Sequence, residues 1–101
     1  STTKSVKVQP KNKNELYTLI KKELQQGPDA DLNYIDVSVI TDMSYLFVNL
    51  DIRNVKIDKW VVSNVENMTY MFYDCKNFNC NLSNWNVSKA TNNVWDTFCV
   101  P

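Results

Sequence analysis

The sequence predicts an α/β fold in which strand–helix–turn units of about 25 residues stack behind an N-terminal strand–helix cap. The evidence is an internal repeat, helical apolar spacing within each unit, and two-residue apolar spacing before each helix. In this prediction residues 1–30 are the cap and residues 31–101 are two to three units, of which the last is degraded. Because one unit cannot bury its own apolar face, the units are expected to form a short solenoid around a shared core.

The first 30 residues are expected to form a short strand and then a helix. Val6 and Val8 alternate with polar residues before Pro10, which is typical of an edge strand. Asn12 and Glu15 have the spacing of a capping box, and the Gly-Pro pair after residue 26 ends the predicted helix. Its apolar stripe is Leu16, Leu19, Ile20 and Leu24.

The repeat is clearest when residues 40–64 are aligned with residues 65–89. Seven of the 25 pairs are identical, where ordinary residue usage gives about one or two. The identical pairs are Met43/Met68, Tyr45/Tyr70, Phe47/Phe72, Asn54/Asn79, Trp60/Trp85, Val62/Val87 and Ser63/Ser88. Beyond residue 91 the agreement returns only if one residue is inserted, so the last unit is taken as degraded.

Spacing within each unit predicts its elements. An i, i+3, i+4, i+7 pattern predicts one short helix on Met43, Leu46, Phe47 and Leu50, and a second on Met68, Met71, Phe72 and Cys75. Apolar residues two apart predict short strands at Ile35, Val37 and Val39, at Trp60 and Val62, and at Trp85 and Val87. Asn-rich stretches predict the turns.

Composition argues against several classes of function. The chain has 101 residues, of which 44% are hydrophobic, so it can form a core. No apolar run reaches the roughly 20 residues of a membrane span, and no direct membrane insertion is expected. Six Lys face two Glu in residues 1–28, whereas five Lys and Arg face nine Asp and Glu in residues 29–101. With Arg53 as the single arginine, no nucleic-acid binding is expected.

The sequence contains few residues of the types that catalysis or metal binding requires. The chain has no His and one Gly, so no catalytic residue, cofactor or metal site is predicted. Capping or solvated roles are expected for the scattered carboxylates Asp36, Asp42, Asp58, Glu66 and Asp74. Cys75, Cys80 and Cys99 are expected to be small, mostly buried free thiols. A disulfide from Cys75 to either of the other two stays open as the alternative.

Aromatic and polar residues that recur with the unit are the candidate partner-binding residues. Tyr45 and Tyr70 lie off the predicted apolar stripes and would form an exposed ladder, unless they only pack on one another. Trp95 is a further candidate. Trp60 and Trp85 are expected in the core, with a partner-binding stripe as the alternative. A second candidate face recurs at the predicted strand period as Tyr34, Lys59 and Asn84, or as Asp36, Val61 and Asn86.

Four segments, 29–38, 41–47, 67–72 and 82–88, resemble the BspA-like bacterial surface leucine-rich repeats, also known as mycoplasma lipoprotein-associated repeats. The consensus pairs a Met-x-x-Met/Leu-Phe helix with a Trp-Asn/Asp-Val-Ser strand, and both motifs recur here over about residues 12–98. The resemblance implies a leucine-rich-repeat-like solenoid in a surface-exposed or secreted bacterial protein. Members of that family carry many units, an export signal and often an anchor, none of which is visible in this sequence.

The functional expectation is therefore a non-enzymatic adhesion or protein–protein interaction module that displays a rigid repeated face. The expected partner is a protein, for example one of the host surface or extracellular matrix. The alternative is a structural spacer or assembly segment of a longer repeat protein. The sequence leaves the ligand, the oligomeric state and the export route open.

Overall fold

The chain begins with a capped helix, α1, which spans Lys13–Leu24. The computed structural model describes residues 7–27, 29–75 and 78–91. Asn12 Oδ1 accepts the Glu15 amide and Glu15 Oε1 accepts the Lys11 amide, both at 3.0 Å, so the helix starts at the predicted capping residues. Leu16 and Ile20 are completely buried. No helix in the described ranges is long and apolar enough to cross a membrane.

The predicted solenoid of strand–helix–turn units is wrong. Among the described residues α1 is the only helix. Strand pairing there is limited to three isolated parallel bridges, Val8 with Ile35, Asp31 with Lys56, and Asp42 with Asn67. These bridges do not form a sheet. Of the predicted edge strand of the cap, Val8 forms one bridge and Val6 lies outside the described residues. The division of the chain at residue 30 stays a prediction.

Hydrogen-bonded turns occupy the places of the predicted strands. Residues 32–35, 57–60 and 82–85 each close a turn through a bond from the fourth N–H to the first C=O, and so do residues 37–40, 62–65 and 87–90. An Asp or Asn directly before four of these six turns accepts an N–H two residues later; these residues are Asp31, Asp36, Asn81 and Asn86. Such side-chain bonds favour turns over strands.

Turns also replace the two helices predicted after Thr41 and Glu66. Tyr45, Asn49, Tyr70 and Asp74 have φ between 52° and 60°, whereas an α-helix requires negative φ at every residue. Four parallel bonds of 2.9 Å instead join the two segments. The N–H groups of Met43, Tyr45, Phe47 and Asn49 donate to the C=O groups of Asn67, Thr69, Met71 and Tyr73. We call residues 43–49 and 67–74, joined in this way, the turn ladder.

Side chains that lie 25 positions apart stack in the core. The rings of Phe47 and Phe72 are 5.3 Å apart and nearly parallel, and those of Trp60 and Trp85 are 6.3 Å apart. The Nε1 atoms of both tryptophans donate at 2.9 Å to backbone carbonyls, that of Trp60 to Leu32 and that of Trp85 to Ile57. Because Trp60 is only 4% exposed, its alternative assignment to a partner-binding stripe is wrong.

Removing the central ring of this stack is expected to destabilise the fold. Phe47→Ala deletes a fully buried ring that contacts Phe72 and Trp60, and we expect it to lower the free energy of unfolding by about 3–5 kcal/mol. Urea denaturation measures the change. Val61→Ala is the control, since Val61 is 58% exposed and should change stability by less than about 0.5 kcal/mol. Equal stability of the two variants would contradict this core.

Candidate functional site

Three tyrosines form an exposed cluster on the turn ladder. Tyr45, Tyr70 and Tyr73 are 51%, 40% and 46% exposed. The rings of Tyr45 and Tyr70 meet edge to face with centroids 5.7 Å apart, and those of Tyr70 and Tyr73 are 5.1 Å apart. Tyr45 and Tyr70 show both features that were expected as alternatives, because their rings are exposed and also pack on one another. We call these three residues the tyrosine cluster.

The backbone beneath the cluster is held on both sides. Tyr45 donates its N–H to the carbonyl of Thr69 at 2.9 Å. Each segment is also fixed just before its tyrosine, since Asp42 accepts both the N–H and the hydroxyl of Ser44, and Asn67 does the same for Thr69. The neighbouring Leu46, Phe47, Met71 and Phe72 are buried. The rings are therefore displayed from a well-fixed backbone, which lowers the entropy lost on binding.

Two residues of the cluster occupy backbone conformations that their type disfavours. Tyr45 has φ of 60° and Tyr70 has φ of 52°. Asn and Asp tolerate this left-handed region, and they occupy the other two such positions, Asn49 and Asp74. A bulky side chain there costs on the order of 1–3 kcal/mol. Two exposed tyrosines kept at strained positions mark the ladder as a candidate functional surface, since strain of this kind concentrates at binding sites.

Acidic residues accompany the cluster in sequence. Residues 41–52 and 66–75 contain Asp42, Asp51, Glu66 and Asp74 but no Lys or Arg. Lys13 of α1 lies 3.5 Å from Asp42 and also donates to the Ser44 carbonyl and hydroxyl. Burial opposes ionisation of Asp42, but the bonds from Ser44 and the charge of Lys13 outweigh it and lower the pKa of this carboxyl.

The second predicted face does not lie on strands. Tyr34, Lys59 and Asn84 occupy the third position of the turns 32–35, 57–60 and 82–85, so the predicted strand period is wrong for them. Lys59 and Asn84 are exposed, whereas Tyr34 is half-buried and donates its hydroxyl to Glu23 Oε2 at 3.0 Å. Trp95 lies outside the described residues.

Tyr73 is the member of the cluster that the sequence analysis missed. It aligns with Val48 in the preceding segment, so the comparison of identical residues did not mark it. The available signal was its spacing from Tyr70, because the two tyrosines are the first and fourth residues of one turn, which the bond from the Tyr73 N–H to the Tyr70 carbonyl closes, and their rings lie 5.1 Å apart.

Metal ligands, an open groove and two thiols can be located among the described residues or excluded from them. No three His, Cys, Asp or Glu among them are placed to hold a metal ion. An open groove of about 270 Å³ lies between residues 11–14 and 39–42, and its one carboxylate, Asp42, is the one bonded to Lys13. Cys75 and Cys80 are free thiols, and burial raises the pKa of each to about 11. The Cys75 Sγ donates to the Phe47 carbonyl.

Comparison with known proteins finds a family match. A family model described as "Mycoplasma protein of unknown function, DUF285" matches residues 15–98. No curated protein and no solved structure matches the chain.

The left-handed conformation of Tyr45 predicts an unusual order of stability among its variants. Tyr45→Asn and Tyr45→Val both remove the ring, but Asn tolerates positive φ and β-branched Val does not. We expect the Val variant to be less stable than the Asn variant by about 1 kcal/mol or more. Urea denaturation compares the two, and equal stabilities would show that Tyr45 does not adopt this conformation.

The lowered pKa of Asp42 predicts a pH-dependent stability. Because the folded-state pKa lies below the unfolded value of 3.8, the ionised carboxylate stabilises the fold above that pH, and the contribution is lost as pH falls through the folded pKa. We expect Asp42→Asn to be less stable than the native chain at pH 7, by less than about 1 kcal/mol because the carboxylate is half exposed. Thermal unfolding at pH 7 and at progressively lower pH should show this difference becoming smaller in acid. A difference that does not decrease as the pH falls would contradict the assignment.

Proposed function

The chain belongs to the DUF285 family of Mycoplasma proteins of unknown function, and we propose that it is a non-enzymatic protein-binding module whose contact surface is the tyrosine cluster. The observation that carries the proposal is the pair Tyr45 and Tyr70, which are exposed, in ring contact, and held at backbone positions unfavourable to tyrosine. Stability alone favours Asn or Gly at such positions, so the presence of tyrosine at both is best explained by a use for the rings.

Exposed tyrosines fit a binding role on energetic grounds. A tyrosine offers a large contact area with few rotatable bonds, and tyrosine is enriched among the residues that dominate binding energies. Three adjacent rings on a hydrogen-bonded backbone provide a compact anchor. The partner would be a protein, such as one of the host surface or extracellular matrix.

The cellular setting of this proposal comes from the sequence resemblance. The Met-x-x-Met/Leu-Phe and Trp-Asn/Asp-Val-Ser motifs resemble those of BspA-like bacterial surface proteins, and on that basis we propose a surface-exposed or secreted protein with an adhesive role. The matched Mycoplasma family is compatible with this setting.

A second candidate function is a spacer or assembly segment of a longer protein. Leu82, Trp85, Val87 and Ala90 are half-buried, whereas the residues 25 positions earlier, Ile57, Trp60, Val62 and Val65, are at most 4% exposed. Further protein packed against the C-terminal end of the stack would complete the burial of these side chains. Self-association of the purified chain would favour this alternative.

A capture experiment tests the proposal with a ring-deletion variant that keeps the backbone. The immobilised native chain is exposed to extracts of host-cell surface and extracellular matrix, beside Tyr45→Asn/Tyr70→Asn protein, in which Asn suits the positive φ. We expect saturable capture of one protein, weakened at least about tenfold by the double variant because central tyrosines dominate interfaces.

Tyr17→Ala is the matched control, because Tyr17 on α1 is 39% exposed and lies outside the cluster. It should capture the partner as well as the native chain does. Equal loss in the control would attribute capture to general stickiness of tyrosine. Absence of capture together with concentration-dependent self-association would instead support the spacer function.

A further inference from the structure

The tyrosine cluster is suited to one kind of side chain on the partner. We propose that it receives a lysine or arginine side chain from a basic segment of the partner protein, which packs against the ring faces and is attracted by the acidic rim, our name for Glu66 and Asp74, just before and at the end of the segment 67–74. This inference rests on the proposed function, since it names the partner chemistry of the same surface. The occupant is a cationic polypeptide segment.

The rings supply the first part of the argument. An aromatic face is electron-rich and attracts a cation placed within about 6 Å of the ring centroid. Tyr45 and Tyr70 meet edge to face, with ring planes 65° apart, and each is at least 40% exposed. In this arrangement the two rings cannot cover both faces of each other, so ring surface remains open to a ligand.

The charges of the ladder supply the second part. Glu66 lies directly before the segment 67–74 and is exposed, and Asp74 ends that segment next to Tyr73. Lys13 pairs with Asp42, which lies directly before the ladder, and within the described ranges no ion pair of Glu66 or Asp74 is found. Glu66 and Asp74 are therefore left to attract an incoming cation. Residues 29–75 as a whole carry eight Asp and Glu against three Lys and Arg.

The chain itself contains the proposed contact in a weaker form. On α1 the Lys21 ammonium lies 5.8 Å from the centroid of the Tyr17 ring. That pair has one ring, whereas the cluster offers three rings and an acidic rim. A polyanionic partner such as nucleic acid would be repelled by the same carboxylates, and a neutral partner would gain nothing from them.

Binding of defined peptides tests the inference directly. A fluorescently labelled peptide with alternating Arg and Ser is titrated with the full chain, beside a peptide of equal length with Gln in place of Arg, and anisotropy gives the two Kd values. We expect the Arg peptide to bind at least about tenfold more tightly. Tyr45→Asn/Tyr70→Asn should abolish this preference, and Tyr70→Phe, which keeps a ring, should preserve it.

Two matched charge variants distinguish the effect of the acidic rim on peptide binding from the effect of the net charge of the chain. Glu66→Gln and Asp29→Asn each remove one exposed negative charge, so long-range attraction changes equally. We expect Glu66→Gln to weaken the Arg peptide several-fold and Asp29→Asn to leave its Kd within about twofold. Equal effects of the two, or binding unchanged by loss of the tyrosines, would overturn the inference.

The remaining outcomes separate this inference from the proposed function. If tyrosine-dependent capture of a protein is observed but Arg and Gln peptides bind alike, the cationic partner is wrong and the binding module stands. If neither capture nor peptide binding depends on the tyrosines, both fail. Sedimentation of the chain alone identifies a third case, because tyrosine-dependent self-association would assign the site to the lysines of a second copy and overturn a foreign partner.

Discussion

The four parallel hydrogen bonds of the turn ladder are the constraint on which the rest of the structure depends. They join alternate residues from Met43 to Asn49 with residues 24 positions later, each at 2.9 Å. To present alternate N–H groups to the neighbouring segment, the chain bends into left-handed φ at Tyr45 and Asn49, and again at Tyr70 and Asp74. The same pairing places Phe47 over Phe72 in the core. The same backbone hydrogen bonds therefore account for both the left-handed φ values and the aromatic stacking.

In this arrangement the side chains that stabilise the fold are different from the exposed tyrosine side chains. Buried Met and Phe side chains fill the interior with Trp60 and the half-buried Trp85, whose Nε1 atoms donate to backbone carbonyls. The tyrosines, in contrast, are exposed to solvent. The strain at Tyr45 and Tyr70 is offset by neighbouring bonds, in particular those that Asp42 and Asn67 accept from Ser44 and Thr69. Tyrosines at positions that lower the stability of the fold in this way are explained if their rings contact a partner.

Sequence reasoning found α1 and the pairs that stack in the core, because capping residues and identities 25 apart are local or periodic signals. It failed on the segments 43–50 and 68–75, where the i, i+3, i+4, i+7 spacing suits a helix. Overlapping four-residue turns, which start at residues 43, 45 and 47 and again at 68, 70 and 72, bury the same positions, so the apolar pattern does not distinguish them from a helix. The positive φ of Tyr45 carries no residue-type signal, since tyrosine is uncommon there. The exposed tyrosines were predicted, but Tyr73 lacked a counterpart in the preceding segment.

NMR of the full chain tests the central claim, that the tyrosines stand on a ladder of turns paired across about 25 residues. The account predicts nuclear Overhauser effects from the amide protons of Tyr45 and Phe47 to residues 68–71, together with left-handed backbone couplings at Tyr45 and Tyr70. A continuous series of i to i+3 and i to i+4 contacts over residues 43–50, with no contacts to residues 67–74, would show a helix there and contradict the account.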